Sequence, residues 1–562
     1  MAILATTKPG SIYIRRDGAS AAIPQQQPVN IEAKALKPCM IPWERRLFMI
    51  GQFSRGLIRC ENRKSFGIGM SAPGPAPAIA NGTSSGGAVG QGIPYTNFKH
   101  KINGNLVHQS NPSVAGTALA MTGVGRVWTN LPTSDPEARA THVGLWLKLD
   151  DALAREVCDV PIGVATVTEN VPALSWGAAI SFRRGVPPYT MFAIKYHNRM
   201  FYGGDPAHDF YLWYSELGEP ESVASDNFIP TKSRDAITGL GSGNEDQLGC
   251  LTRKRFYDVQ GFRGADFGVN ADFTMRQTDP SIGCISHHSI VSIHDRLWWM
   301  AEKGHAVYDG APRYVSMKSL QKFYYDLYLS DPAAFEKSWA VDDDTKYVLK
   351  SCVNMASNPK SFYFIANYRD VDPKVGTPQL ENPRYAFDVR TRQDSAGAMI
   401  AAEGTKLTKL ITGSCDGQLY EENVESNGTD AGDAYDKKMV VQVGHSFFEA
   451  MGGDRWKGKQ YPALGLFLKN EDQAATLKLY PGNESAPPDG VVNPSPPTIR
   501  GTCTIPAGAV VGKVARMDYF LRPYLTGEGL SFRLEVLHPV GVEYAGWYGE
   551  WMEGLVSRGP SS

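Results

Sequence analysis

The sequence predicts an all-β protein and, within that class, a β-propeller of four-stranded blades. Three observations lead there: a composition rich in turn residues, a dense series of short strand and turn signals across 286–317, and echoes of that series elsewhere in the chain. The 57 glycines and 37 prolines suit a chain with many turns. With 562 residues, of which 42% are hydrophobic, there is ample material for a large core or several domains.

The organising stretch reads SHHSIVSIHDRLWWMAEKGHAVYDGAPRYVSM. Ser289–His294 alternates and is rich in Ile and Val, and His294-Asp295-Arg296 turns the chain into the aromatic strand Leu297–Glu302. Lys303-Gly304 turns again before Ala306–Tyr308, and Asp309-Gly310-Ala311-Pro312 leads into Arg313–Met317. Strands this short leave two faces to bury, so the sheet must stack on similar sheets.

Phe192–Tyr202, FAIKYHNRMFY, repeats the pattern of Ile290–Trp299, IVSIHDRLWW: a strand, a turn with His-Asx-Arg, then a hydrophobic residue and aromatics. Weaker echoes are Leu57–Phe66, Leu248–Val259, Ala340–Lys350 and Ser414–Glu421. From 198 onward the turns recur at intervals of mostly about 40 to 50 residues, the spacing of propeller blades.

Residues 1–40 read as an extended N-terminal arm, polar at Gln25–Gln27 and short of periodic apolar positions. The β-propeller is expected over 41–435. It contains a Gly/Pro-rich connector at 71–92, where SAPGPAPAIANGTSSGGAVGQG has almost no side chains to pack. Phe98–Ile102, Leu106–Gln109, Val124–Asn130 and His142–Lys148 read as a meander, and helix is expected only at 150–158 and Met317–Leu329. Residues 436–562 are expected to form an additional C-terminal β region, a closing blade plus a small β-sandwich. Its strand signals are Lys438–Ala450, Tyr461–Leu468, Thr476–Tyr480, Thr502–Ile505, Ala515–Pro523, Leu530–Leu537 and Val542–Trp547, with proline-rich Ser485–Pro497 between them.

A net charge of −1 gives no global reason to expect nucleic acid or an anionic membrane as main partner. The 8 cysteines are scattered, with no CxxC and no close Cys/His set, and read as buried free thiols. Residues 1–30 lack an apolar signal core, and no stretch approaches the length of a transmembrane helix, so no membrane insertion and assembly in a reducing cytoplasm are expected.

His287, His288 and His294 superficially resemble a metal cluster, but adjacent strand residues point to opposite faces and His294 falls in a turn. His197 and His294 share one repeat position, which favours a turn-stabilising role. Asp342-Asp343-Asp344 lacks the spacing of a calcium loop and reads as a solvated turn. Asp226, Asp235, Asp258 and Asp309 each neighbour turn residues and need no catalytic role. Ser414-Cys415-Asp416-Gly417 is a defective Asp box, read as a blade turn. GxSxG, P-loop and helix-opening GxGxxG motifs are absent, so no cofactor, no metal and no enzymatic activity are expected. The dense basic cluster Arg253-Lys254-Arg255 is followed by Phe256 and Tyr257. It is a candidate lining for a nucleic-acid channel or, more simply, a solvated strand edge.

Several motifs together resemble the β-propeller virion proteins of tailed bacteriophages. They are Asp135-Pro136-Glu137, Thr141–Trp146, Met200–Pro206, Leu212–Ser222 (LWYSELGEPES), Gly283–Ser289, and Trp298 with Val307–Gly310. The resemblance covers about 135–316. It implies a structural subunit forming an oligomeric ring in the tail, as a nozzle or hub, that continues the DNA channel and joins neighbouring tail or head–tail proteins. The implied partners are the protein itself in a cyclic homo-oligomer, for which six copies suit a tail, and double-stranded DNA in transient passage. Its place would be the virion, after assembly in the host cytoplasm. The alternative is a carbohydrate-binding or carbohydrate-cleaving propeller for host recognition, in which the 11 tryptophans and 25 tyrosines would stack on sugars.

Overall fold

The computed structural model describes side chains over most of residues 39–366, with breaks chiefly at 52–56, 262–272, 344–346 and 356–360, and strands alone in the remainder of the chain. Strands in antiparallel sheets dominate, and the α-helices are α1 (Lys318–Ser330) and α2 (Pro332–Glu336). The chain divides into two compact units, one of residues 1–252 with 257–277, the other of 253–256 with 278–562.

In the first unit three four-stranded sheets run in simple chain order. Cys39–Trp43, Arg46–Ile50, Ile58–Glu61 and Lys64–Gly67 make one. Phe192–Tyr196, Arg199–Gly203, Tyr211–Tyr214 and Phe228–Pro230 make the second, and Ile237–Gly241, Leu248–Thr252, Phe256–Gly261 and Phe273–Gln277 the third. The 192–230 sheet contributes to two cores because alternate residues point to opposite faces. Phe201, Leu212 and Tyr214 pack with Leu240, Leu248 and Tyr257 of the third sheet, whereas Met200, Tyr202 and Ala193 pack with Trp43, Phe48 and Ile50 of the first. Each fully buried aromatic contributes about 2–3 kcal/mol of transfer free energy.

The second unit holds the organising stretch as a sheet of Val291–Ile293, Arg296–Ala301, Gly304–Tyr308 and Pro312–Tyr314, in that order. Its turns fall where the sequence places them, although the first strand starts later because His287–Ser289 is a 3-10 turn. Trp298 and Val307 from this sheet pack with Leu349 and Ala366 of the next. That next sheet has eight strands, ordered Trp339–Asp343, Val348–Asn354, Ser361–Asn367, Arg384–Arg390, Lys438–Ser446, Leu530–Leu537, Ala475–Pro481 and Gly501–Ile505. It therefore runs across the expected boundary at 435/436. Val510–Gly527, Lys459–Asn470 and Val542–Glu553 form a separate three-stranded sheet.

The His-Asx turns are equivalent. Tyr196 pairs with Arg199 and Ile293 with Arg296, leaving two-residue loops in which His197 (φ 43°), Asn198 (φ 55°), His294 (φ 45°) and Asp295 (φ 62°) are all left-handed. Two positive φ values in succession make the turn whose twist matches antiparallel strands, and Asn and Asp tolerate it best after glycine. The echo near 344 also joins the first two strands of its sheet. Those near 62 and 253 join the third to the fourth strand and the second to the third. The recurrence therefore marks hairpins, and those at 197, 294 and 344 join the first two strands of their sheets.

Four expectations are corrected. Residues 1–40 carry Ala2–Ala5, Ile12–Arg15 and Ile23–Pro24 paired in a three-stranded sheet, so the arm is not merely extended; Ile12-Tyr13-Ile14-Arg15 has the alternation of a strand. Most of the 71–92 connector lies in a 25-residue strand, Ala78–Ile102. Glycine is what permits this pairing: a Cβ on Gly87 would lie 1.8 Å from the Val124 carbonyl oxygen, and one on Gly92 would lie 2.7 Å from Met121 Sδ. The expected meander at 95–148 is instead part of a six-stranded sheet, ordered Arg155–Pro161, His142–Leu149, Ala78–Ile102, Leu119–Thr129 and Val167–Glu169, with Asn105–Gln109 paired beside Ala78–Ile102. Finally, the expected helix at 150–158 is a turn followed by the strand Arg155–Pro161. So short a segment nucleates helix poorly, and the strand His142–Leu149 offers it backbone partners from Leu147 to His142.

Candidate functional site

Arg253, Lys254 and Arg255 form the loop between Leu248–Thr252 and Phe256–Gly261, so they belong to a turn and not to a strand edge. The loop is held from below: a Cβ on Gly283 would lie 2.2 Å from the Arg253 carbonyl carbon and oxygen. Arg253 donates to Glu336 of α2, with both side chains more than 40% exposed, and Lys254 is exposed. An ion pair this wet contributes little to stability; Lys254 is exposed, and Arg253 and Arg255 are partly so.

The other candidates resolve into structure. His287 and His288 lie edge to face in the 3-10 turn, ring centres 5.2 Å apart, and not on a strand. Asp342 and Asp343 end the strand Trp339–Asp343, and Asp343 is buried, which corrects the solvated-turn reading. Asp344, Ser414–Gly417 and Ser485–Pro497 lie outside the described residues. Among the described residues no group of three His, Cys, Asp or Glu side chains is placed to hold a metal. No helix among them is long and apolar enough to cross a membrane. Cys60, Cys250, Cys284 and Cys352 are buried free thiols, and Cys39 and Cys158 are half-buried free thiols.

Sequence reasoning missed the densest charge cluster in the first unit. It centres on Ser215–Ser222, where three glutamates alternate with small residues and proline. Glu221 is sealed from solvent, accepts from Arg59 Nη1 (2.5 Å) and the Gly69 N–H (3.1 Å), and is ion-paired with Arg139 Nη2 at 2.7 Å. Arg46 approaches the same carboxylate at 3.8 Å. Glu216 accepts from Arg183 Nε (2.7 Å) and Asn227 Nδ2 (2.9 Å), and Glu219 from Arg184 Nη2 (3.0 Å) and Ser222 Oγ (2.8 Å). Tyr202 Oη donates to the Pro220 carbonyl.

Local structure places these groups. Gly218 takes φ 73° and donates to the Asn198 carbonyl, folding the loop back over the His-Asx turn. Asp135 Oδ2 accepts from the Arg139 and Ala140 N–H groups, which turns Arg139 inward. Two motifs of the family resemblance, at 135–146 and 212–222, thus meet through Arg139 and Glu221.

Burial alone would raise the Glu221 pKa, but the Arg139 and Arg59 charges hold it well below the usual carboxylate range. Burial pulls Arg59 down to about 10 and the enclosed imidazole of His108 down to about 3. The cluster therefore holds a permanent carboxylate between permanent guanidiniums. With its acceptors satisfied internally, its chemistry is that of a structural tie between the 39–67 and 192–230 sheets and the 139 loop. The clue in the sequence was the acidic alternation Glu216, Glu219, Glu221 within a stretch otherwise made for burial.

The aromatic content also sorts by burial. Trp43, Trp128, Trp146, Trp298, Trp299 and Trp339 are core residues, which removes Trp298 as a sugar-stacking candidate. Trp176 and Trp213 are half-buried.

No family model matches the chain, and no curated protein matches it. Among solved structures, the extracellular domain of a protein described as a one-component system of B. thetaiotaomicron is similar over 80% of this chain, at 9% identity and a TM-score of 0.25. The match covers 44% of that structure's own length, and likeness at such a score carries no argument about function.

Proposed function

We propose that the chain is a structural subunit of a tailed-bacteriophage virion, forming an oligomeric ring in the tail that continues the DNA channel and joins neighbouring tail proteins. Its four-stranded sheets then serve as propeller blades. The observation that carries this reading is the use made of the residues behind the family resemblance. Leu212–Ser222 and Asp135–Trp146, two of the segments that carry the resemblance, are joined by the buried Glu221–Arg139 pair, a charge-tied scaffold that suits a structural subunit. The equivalent His-Asx hairpins at 197–198 and 294–295 support the blade reading.

Electron microscopy of the purified protein and of the virion tests the proposal. The expected result is a cyclic ring, with six copies, at the tail; a monomer that never enters a particle overturns it. Within that ring Arg253, Lys254 and Arg255 are proposed to line the DNA path. Replacing all three with Gln should slow DNA ejection while assembly proceeds, because each lost phosphate contact weakens a salt-sensitive attraction. Normal ejection by the triple variant would remove the channel role from this loop.

A further inference from the structure

Tyr211 and Trp213 project from one face of a strand whose other face, Leu212 and Tyr214, is core. Phe228 stands directly across from Trp213 and Pro230 across from Tyr211 on the neighbouring strand. The rings form an ordered layer. Phe228 stacks on Tyr211 with centres 4.3 Å apart and planes 9° apart, and His208 stacks on Tyr211 at 5.0 Å and 11°. Trp213 leans against Phe228 at 5.2 Å and 57°, and Phe210 meets Tyr211 edge-on at 4.6 Å. All five side chains are partly or largely exposed.

This layer is held rigid from beneath. Asp205, with a side chain only 5% exposed, accepts from Trp213 Nε1 (3.2 Å), from His208 Nδ1 (3.2 Å) and from the Ala207 N–H (2.9 Å). One buried carboxylate therefore orients both the indole and the half-exposed imidazole. The Thr231 N–H donates to the Phe210 carbonyl (2.9 Å), which brings exposed Asp209 and Lys232 to the same end of the layer. A partly exposed aromatic surface that is already locked loses little conformational freedom on binding, which is the condition for capturing a weak ligand. Ring faces and edges suit the axial C–H faces of a sugar, and a neighbouring carboxylate and ammonium suit its hydroxyls.

The geometry points to a saccharide-binding surface formed by His208, Tyr211, Trp213 and Phe228, with Asp205 as a positioning residue and Asp209 and Lys232 as hydrogen-bonding partners at its end. The ligand class is a neutral hexopyranose chain. The inference stands on this aromatic face alone and is independent of the ring proposal.

The test is a glycan array of bacterial surface saccharides probed with the full-length protein, followed by titration of the best neutral saccharide monitored by tryptophan fluorescence. Saturable binding is expected, weakened at least about tenfold by Trp213→Ala, as for truncation of a central aromatic anchor. His208→Ala, at a ring 50% exposed, should weaken binding while leaving the melting temperature unchanged, so the inference does not depend on a variant that fails to fold. Asp205→Asn should weaken it less, and Trp176→Ala, at the other half-buried tryptophan among the described residues, not at all. Absence of saturable binding by the native protein overturns the inference, as does binding that survives both Trp213→Ala and His208→Ala. Binding confined to anionic saccharides or nucleic acid also overturns it.

Discussion

Arg59 and Glu221, 162 residues apart in sequence, meet at 2.5 Å with both side chains sealed from solvent. Arg139 reaches the same carboxylate from a third segment. A buried ion of either sign is costly alone, so each member of this triad depends on the others. Glu221→Gln should destabilise the protein by about 3–5 kcal/mol, because two guanidiniums lose their counter-charge in a dry site. Replacing Arg59 and Glu221 together with Met and Leu should cost less than the sum of the single changes. Denaturant unfolding of the two single variants and the double variant measures that coupling, and additivity would show that the pair does not act as a unit.

Stability should fall as the pH drops below about 6.5, before ordinary carboxylates titrate. Burial holds His108 at about 3 and His305 at about 4 in the folded protein. The unfolded chain, with histidines near 6.5, therefore binds more protons throughout the window between these values. Extra protons on the unfolded side mean that stability is lost as pH falls towards the folded values. Glu221, depressed in the folded state, adds a further loss once the pH falls below the ordinary value of 4.5. Denaturant midpoints at pH 7.5 and pH 5 should differ, and His108→Gln should reduce that difference.

The two-residue turns at 197–198 and 294–295 need positive φ at both positions. Asp295→Gly should be neutral or stabilising by up to about 1 kcal/mol, whereas Asp295→Val should cost about 1–2 kcal/mol. Thermal melts decide, and a Val variant as stable as the Gly variant would contradict the turn conformation.

Gly87→Ala should disrupt the pairing of Ala78–Gly92 with Leu119–Thr129, because its Cβ would overlap the Val124 carbonyl. Gly86→Ala is less informative, since its φ of 105° adds backbone strain to an otherwise open position. Amide exchange in the 119–129 strand should accelerate in the Gly87 variant, and unchanged protection would show that the strands part without cost.

The strand pattern was legible in the sequence wherever alternation and turn chemistry agreed. Val291–Tyr314 and the strands beyond Lys438 follow local rules, since a period of two and a Gly, Pro or Asx turn are properties of neighbouring residues. Where glycine replaced side chains, as in 78–92, those rules suggested a connector. Only the close approach of a second strand reveals why glycine is required there.

The tertiary structure alone decided the electrostatics. Arg59, Arg139 and Glu221 are ordinary charged residues in sequence, and folding brings them to one dry point because three distant segments converge there. It likewise separated the tryptophans, sending Trp298 to a core and leaving Trp213 half-buried with its indole N–H on the Asp205 carboxylate. Sequence by itself determined the class of structure, the hairpins and their turn residues, because those depend on local periodicity and φ. Burial, charge pairing and exposure depend on which segments meet, and no local pattern carries that information.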